Sequence, residues 1–234
     1  MSVPDWLSEH YLSKRSWRTH SRWCGALMPR GVDDIAELLM KGEVAKVVLK
    51  SDRTTTVSVV SLDDRPDQNI VLKQYNPKGP WHRVSRAVRK SRASRCWKMS
   101  FAFGQAGITV AQPYMMHELR FGIFNQDAFF ATQKLAGQEL LAALPKLEHA
   151  EQDQVVVAIR DMFERFEAFS LSHGDMKATN LLWDGKNIAL IDLDAAHQHA
   201  RQKSWNRAHR KDRMRFLKNW QDQPQLLERF EFLR

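Results

Sequence analysis

Residues 155 to 183 constrain this chain more than any other stretch. Val155, Ile159, Met162, Phe163, Phe166 and Phe169 recur at three- and four-residue steps, which puts them on one face of a helix. The segment "LPKLEHAEQDQVVVAIRDMFERFEAF" therefore predicts a long helix whose apolar stripe must be covered. The chain runs from it straight into "SHGDMKATN", Ser172 to Asn180, and then into the apolar run Leu181 to Trp183. A histidine, an aspartate, a lysine and an asparagine thus sit between two core-forming segments. That placement predicts a loop anchored at both ends that presents polar groups for chemistry. The competing reading is a surface turn that these residues merely cap and close.

The flanking segments predict the plan of the rest. Val47 to Tyr75 reads as an antiparallel meander of Val- and Thr-rich strands, with "DDRPDQN" as a turn cluster. A basic segment follows and becomes helical up to Gly107. "TVAQPYMMHELRFG" and "NQDAFFATQKLAG" predict two more strands with a turn near Asn125. "LLWDGKNIALIDLDA" predicts a hairpin turning at Asp184-Gly185. "RQKSWNRAHRKDRMRFLKNW" predicts a basic helix. Residues 1–30 are aromatic and basic without a clear period and are expected to form an arm on the body, and "VDDIAELLMKGEV" a short helix. With 234 residues, 43% of them hydrophobic, the expected fold class is α+β in two lobes. The expected divisions are the arm at 1–30, a β-rich lobe at 31–136 and a mainly helical lobe at 137–234.

The polar loop carries the chemistry. Asp175 and Asn180 are five residues apart, and Asp192 follows the apolar run "NIALI". A loop and a hairpin can bring the three to one cleft. Two carboxylates and an amide oxygen suit Mg²⁺ shared with water and phosphate oxygens. One carboxylate can stay off the metal and orient an attacking hydroxyl. Lys177 could reach a transferring phosphoryl group as a point charge. These are the parts phosphoryl transfer needs. His173 reads as a brace of the loop rather than a proton carrier. Asp194 is the rival of Asp192 for the metal.

The net charge of +9 favours anionic partners. Of the 36 Lys and Arg, 16 fall in the windows 78–98 and 201–218, which also hold Trp81, Trp97 and Trp205. Basic residues with interfacial aromatics suit an anionic lipid surface or a phosphorylated sugar; plain solvated faces are the alternative. The 2 cysteines, Cys24 and Cys96, form no close-spaced pair, so neither a disulfide framework nor a zinc site is expected. No apolar run is long enough to span a bilayer. A soluble cytoplasmic protein, peripheral on a membrane through its basic patches, is the expectation. No base-reading motif is present, and no nucleic-acid partner is expected.

"HGDMKATN" followed by "LLWDGKNIALIDLD" resembles the catalytic and metal-binding loops of the protein-kinase-like fold. Together with "VVLKSDRTTTVSVV", "IVLKQYNPKGPWHRVSRAVRKSRASRCW", "AGITVAQP" and the basic tail, it is most similar to the Kdo/WaaP-type lipopolysaccharide kinase family. The resemblance implies a two-lobed fold, with a small antiparallel β-rich lobe and a mainly helical one. It implies transfer of the γ-phosphoryl group of ATP, with Mg²⁺, to a heptose or Kdo hydroxyl of the lipopolysaccharide inner core. That acceptor is an anionic glycolipid. Asp175 would be the general base, with Lys177 beside it, and Asn180 and Asp192 would hold Mg²⁺. Lys73 would contact the α- and β-phosphates. The turn holding Ser51, Thr54, Thr55 and Thr56 would cover the nucleotide, and Gln133 and Leu135 would lie in the adenine-binding hinge. A pseudokinase that binds nucleotide or glycolipid, and a kinase of a small sugar or aminosugar, are the alternatives.

The sequence departs from the family pattern twice. The helix after Lys73 normally supplies a glutamate, expected here near Cys96, yet no acid lies between Lys78 and Gln105. The glycine that usually follows the metal-binding Asp-Phe is absent from "DLD". Lys73 is therefore expected to be held from elsewhere, by Asp192 through the phosphates or by an acid such as Glu37 or Glu43.

Overall fold

The computed structural model describes residues 10–15, 20–25, 46–52, 54–62, 65–75, 91–121 and 124–234. The chain divides into two compact units. One takes the described residues up to 98 together with 112–134; the other takes 99–111 with 135–234.

The first unit is built on a seven-stranded antiparallel sheet. Its strands are β1 (His10–Arg15), β2 (His20–Gly25), β3 (Lys46–Ser51), β4 (Thr55–Leu62), β5 (Arg65–Tyr75), β6 (Pro113–Phe121) and β7 (Phe124–Gln133). They lie in the order β1-β2-β6-β7-β5-β4-β3. The meander β3–β4–β5 is the one its Val and Thr runs predict. Strand β5 begins at Arg65, so most of the expected turn cluster is strand. Strand β6 ends at Phe121 and β7 begins at Phe124, so the two strands meet next to Asn125, as expected. The expected N-terminal arm contributes β1 and β2, which pair with each other and, through β2, with β6. No apolar period announces them, because an edge hairpin gains its order from the ladder of β6 rather than from its own pattern. The expected helix at "VDDIAELLMKGEV" lies outside the described residues.

Helix α1 (Arg92–Gln105) follows. Its end has a Schellman geometry. Gly107 takes φ +72°, its N–H donates to Gly104 O at 2.9 Å, and Ile108 N–H donates to Phe103 O at 3.0 Å.

The second unit is organised by α3 (His149–Ala168), which follows a two-residue strand β8 (Gln138–Glu139) and a single helical turn, α2 (Leu140–Ala143). A capping box of Glu148 and Glu151 starts α3. Val155, Ile159, Met162, Phe163 and Phe166 are buried as the period predicts. Phe169 is not: it is 42% exposed. It stands at the C-cap, where helical geometry has ended, and Ser170 at φ +52° then turns the chain away. Phe103 packs edge-on to Phe166 at 5.5 Å between centroids, and Phe163 lies 6.1 Å from Phe216. Phe216 belongs to α4 (Gln202–Lys218), which precedes α5 (Pro224–Arg229). No described helix is long and apolar enough to cross a membrane.

Two of the three tryptophans in the basic windows are core. Trp97 is 2% exposed and Trp205 is buried. Trp205 stacks on His209 at 4.6 Å and donates its indole N–H to Leu171 O at 3.1 Å. A ring that large is worth more against other rings than in a charged surface. Trp81 lies outside the described residues.

Candidate active site

The loop after α3 starts with β9 (Leu171–Ser172), which pairs with β12 (His197–Gln198). It continues through His173-Gly174-Asp175-Met176-Lys177 into a 3₁₀ turn, Ala178–Asn180, and then into the hairpin of β10 (Leu181–Trp183) and β11 (Ile188–Leu190). Leu171, Met176, Ala178, Leu181 and Leu190 are buried. These apolar residues alternate with the polar ones, so the core anchors the loop while Asp175 and Lys177 stay at the surface.

Backbone hydrogen bonds hold the loop's shape. Asn180 donates Nδ2–H to Asp175 O at 2.8 Å. Lys177 N–H also donates to Asp175 O, at 2.8 Å, and Ile191 N–H donates to Asn180 O at 2.9 Å. The last bond ties the residue before Asp192 to the residue that would share its metal. His173 is fully buried; its Nδ1 accepts the Asp175 N–H at 3.3 Å and its Nε2–H donates to Ile191 O at 3.0 Å. Only the neutral Nε2–H tautomer satisfies both bonds. Burial holds its pKa below the ordinary histidine value. His173 is the brace its position predicts.

Beneath the loop lies a residue that sequence reasoning missed. Asp212 of α4, 1% exposed, accepts His173 N–H at 2.7 Å on Oδ2 and Gly174 N–H at 2.9 Å on Oδ1. Burial pushes its carboxyl up to about 6 despite these bonds. Gly174 has φ +77°, and a Cβ there would collide with the carbonyl oxygen of Ala195. The family-type "HGD" needs its glycine for both reasons. Asp212 was hidden because it is the single acid in a basic helix and looks like a solvated charge.

The Asp175 carboxylate is flanked by two cations. Lys177 Nζ is 3.1 Å from Oδ2, and Arg215 Nη1 is 2.6 Å from Oδ1. Arg215, the second residue missed, comes from α4 one turn after Asp212. Asp192 follows β11 with a left-handed backbone, φ +64° and ψ +58°. A non-glycine residue in that region is uncommon, although aspartate enters it more readily than most. Asp194 lies in the 3₁₀ turn that begins after it.

The nucleotide-side candidates lie mainly in the sheet unit. Lys73 of β5 pairs with Phe130 of β7, which pairs with Met116 of β6. Two residues along, Tyr75, Ala128 and Glu118 form the next row of the same face. Helix α1 covers this face. Cys96 Sγ lies 3.4 Å from Tyr75 Oη, and the Arg92 guanidinium sits 4.8 Å over the Tyr75 ring. Cys96, near which the resemblance leads one to expect a glutamate, thus faces the row beside Lys73. Glu118, 2% exposed, places a carboxylate on that face from a strand instead. It was missed because "MMHELRF" reads as an ordinary strand. Glu37 and Glu43 lie outside the described residues.

The β3–β4 turn is closed on itself. Asp52 Oδ1 accepts Thr54 N–H at 2.7 Å, Thr54 Oγ1–H at 2.9 Å and Thr55 N–H at 2.9 Å. Those bonds, that from Thr54 N–H foremost, hold Asp52 below the usual carboxylate range. Arg92 Nη1 donates to Thr55 Oγ1 at 3.0 Å, and the Ser51 and Thr56 hydroxyls lie 3.3 Å apart. Gln133 ends β7, exposed, with its N–H on Gln112 O at 2.9 Å. The chain passes from one unit to the other between Lys134 and Leu135.

The sequence pattern of the lipopolysaccharide kinase (Kdo/WaaP) family matches residues 40–230. The chain belongs to that family. No curated protein matches it by sequence. Among solved structures, a WaaP solved in complex with acyl carrier protein superposes with a TM-score of 0.59 at 15% identity, over 85% of this chain and 83% of that one. The PK-1 kinase of Cydia pomonella granulovirus gives a TM-score of 0.49 at 14% identity, over 74% and 58%. The fold is therefore kinase-like, and the family is one of lipopolysaccharide kinases.

Among the described residues, no group of three or more His, Cys, Asp or Glu is arranged to hold a metal. A set of one carboxylate, Asp192, and one amide, Asn180, fits Mg²⁺, which keeps several waters and takes the rest of its shell from phosphates. The Asn180 side chain spends its nitrogen on Asp175 O, which leaves its oxygen as the group for a cation.

Proposed function

We propose that this protein transfers the γ-phosphoryl group of ATP to a heptose or Kdo hydroxyl of the lipopolysaccharide inner core. The observation that carries the reading is Asp175. Its backbone is pinned by Asn180 and, through His173 and Gly174, by Asp212, while its carboxylate remains at the surface.

Asp175 orients the acceptor hydroxyl and takes its proton as the new O–P bond forms. The bond between the γ-phosphorus and the β–γ bridging oxygen breaks, and ADP leaves. Lys177 neutralises charge on the phosphoryl group in flight. Asn180 and Asp192 would hold Mg²⁺, which would supply charge neutralisation to the transfer. Lys73 contacts the α- and β-phosphates, and Glu118 supplies the carboxylate on its face in place of the absent helix glutamate. Ser51, Thr54, Thr55 and Thr56 cover the nucleotide, and Gln133 to Gly137 receive the adenine.

The exposed basic residues of α4 suit the anionic glycolipid and the inner-membrane surface that carries it. The same face is open to a protein partner, as WaaP is in its complex with acyl carrier protein. One specific observation favours a second reading, a pseudokinase: Cys96 stands where active kinases keep a glutamate. Purified protein, labelled ATP and a panel of core oligosaccharides decide between the two. Label must appear in a heptose or Kdo residue; nucleotide binding with no transfer to any core acceptor supports the pseudokinase instead.

A further inference from the structure

The position of Arg215 carries a conclusion about the acceptor, resting on the kinase reading above. A general base needs one carboxylate oxygen for the proton it receives. Both oxygens of Asp175 are engaged, Oδ2 by Lys177 and Oδ1 by Arg215. Lys177 belongs to the loop and to the phosphoryl group. Arg215 comes from α4, and its cation competes with the acceptor hydroxyl for Oδ1 until it yields that oxygen.

Arg215 is well placed to take another anion when it does. Its helix is locked to the loop by Asp212, three residues earlier, so the guanidinium is held in register with the base. Its Nη1 serves both Asp175 Oδ1, at 2.6 Å, and Gly174 O, at 3.2 Å. One nitrogen thus makes both bonds, whereas a guanidinium carries five N–H donors in a planar fork that fits carboxylate and phosphate. The side chain is 48% exposed, and that of Asp175 28%. An exposed ion pair of this kind contributes little to stability and is readily exchanged. Lys211 and Lys218 lie one turn to either side on the same helix face, both exposed. The only acid in α4 is the buried Asp212, so no carboxylate of the helix balances this row. A solvated surface helix would normally interleave both signs.

We propose that Arg215 is the acceptor-specificity residue. It leaves Asp175 to grip an anionic group, a carboxylate or a phosphate, that the sugar carries beside the hydroxyl to be phosphorylated. An acceptor with that anion frees the base as it binds. A neutral acceptor leaves Arg215 competing for Asp175.

The test uses two matched pairs of acceptors: a Kdo glycoside with its carboxyl-reduced analogue, and a heptose glycoside with and without a neighbouring phosphate. Binding by calorimetry and kcat/KM by labelled ATP are measured for the wild type, Arg215→Gln and Arg215→Lys. The wild type is expected to prefer the charged member of one pair by roughly 10- to 100-fold. Arg215→Gln brings that ratio near one, and Arg215→Lys falls between. The pair that responds identifies carboxylate or phosphate. If Arg215→Gln weakens both members by one common factor, the arginine only holds Asp175 and the proposal is overturned. No preference in either pair by the wild type overturns it too. Absence of transfer to every acceptor would refute the kinase reading instead; the calorimetric ratio still decides for or against Arg215.

Discussion

Asp212→Asn should change how stability depends on pH, in a direction the structure dictates. The Asp212 carboxyl is buried under the loop and is raised from its ordinary 3.8 to about 6, with burial as the largest cause. A shift of roughly two pH units corresponds to about 3 kcal/mol between the two protonation states. Above about pH 6 the group is ionised in folded and unfolded chains alike, and its contribution is constant. Between about 4 and 6 the folded state holds a proton that the unfolded state has released, so stability rises as pH falls. Below about 4 both states are protonated and the gain is complete. Asparagine cannot titrate. The difference in unfolding free energy, wild type minus variant, should therefore grow by about 1.4 kcal/mol per pH unit as pH falls from 6 towards 4. It should be flat from about 7 upwards. Urea unfolding of both proteins from pH 4.5 to 8, extrapolated linearly to water, measures it directly. All other titrating groups are shared and cancel in the difference. A difference that is flat across the window, or that grows with rising pH, refutes the argument that desolvation outweighs the two N–H bonds.

Three further outcomes are expected. Asp175→Asn should leave the unfolding transition in place while kcat falls by about 10²- to 10⁴-fold, since the amide cannot take the proton; a variant with near-wild-type turnover would remove Asp175 from the mechanism. The thermal stabilisation by ATP should need Mg²⁺ and should lose that requirement in Asp192→Ala and Asn180→Ala; a shift indifferent to both the metal and the substitutions would exclude them as ligands. Lys73→Ala and Glu118→Gln should each weaken ATP binding, read by calorimetry, with the lysine variant the weaker binder; unchanged affinity in both would mean that Lys73 does not touch the phosphates.

The long helix, the hairpin after the loop and the basic helix α4 were legible in the sequence. Each buries its own stripe or turns on its own Asp-Gly, so local pattern and final structure agree. The same holds for "HGDMKATN": the spacing of Asp175, Asn180 and Asp192 is a local property of one continuous segment, and the family could be read from it. The limits appear where a residue's role depends on what it is packed against. Residues 10–15 and 20–25 are strands because β6, far along the chain, supplies the ladder that β2 joins. Trp97 and Trp205 stand among lysines and arginines in the sequence yet are core, Trp205 enclosed by the His209 ring and the Leu171 carbonyl. Asp212 and Arg215 are alike to the eye as charges in a basic helix. Burial turned one into the acceptor of two backbone N–H groups, and exposure next to Asp175 left the other able to meet a ligand. The absence of a glutamate near Cys96 is plain from the sequence. That Glu118 shares a face with Lys73 follows only from the register of β5, β7 and β6, since a shift of one residue would have turned its carboxylate to the opposite side of the sheet.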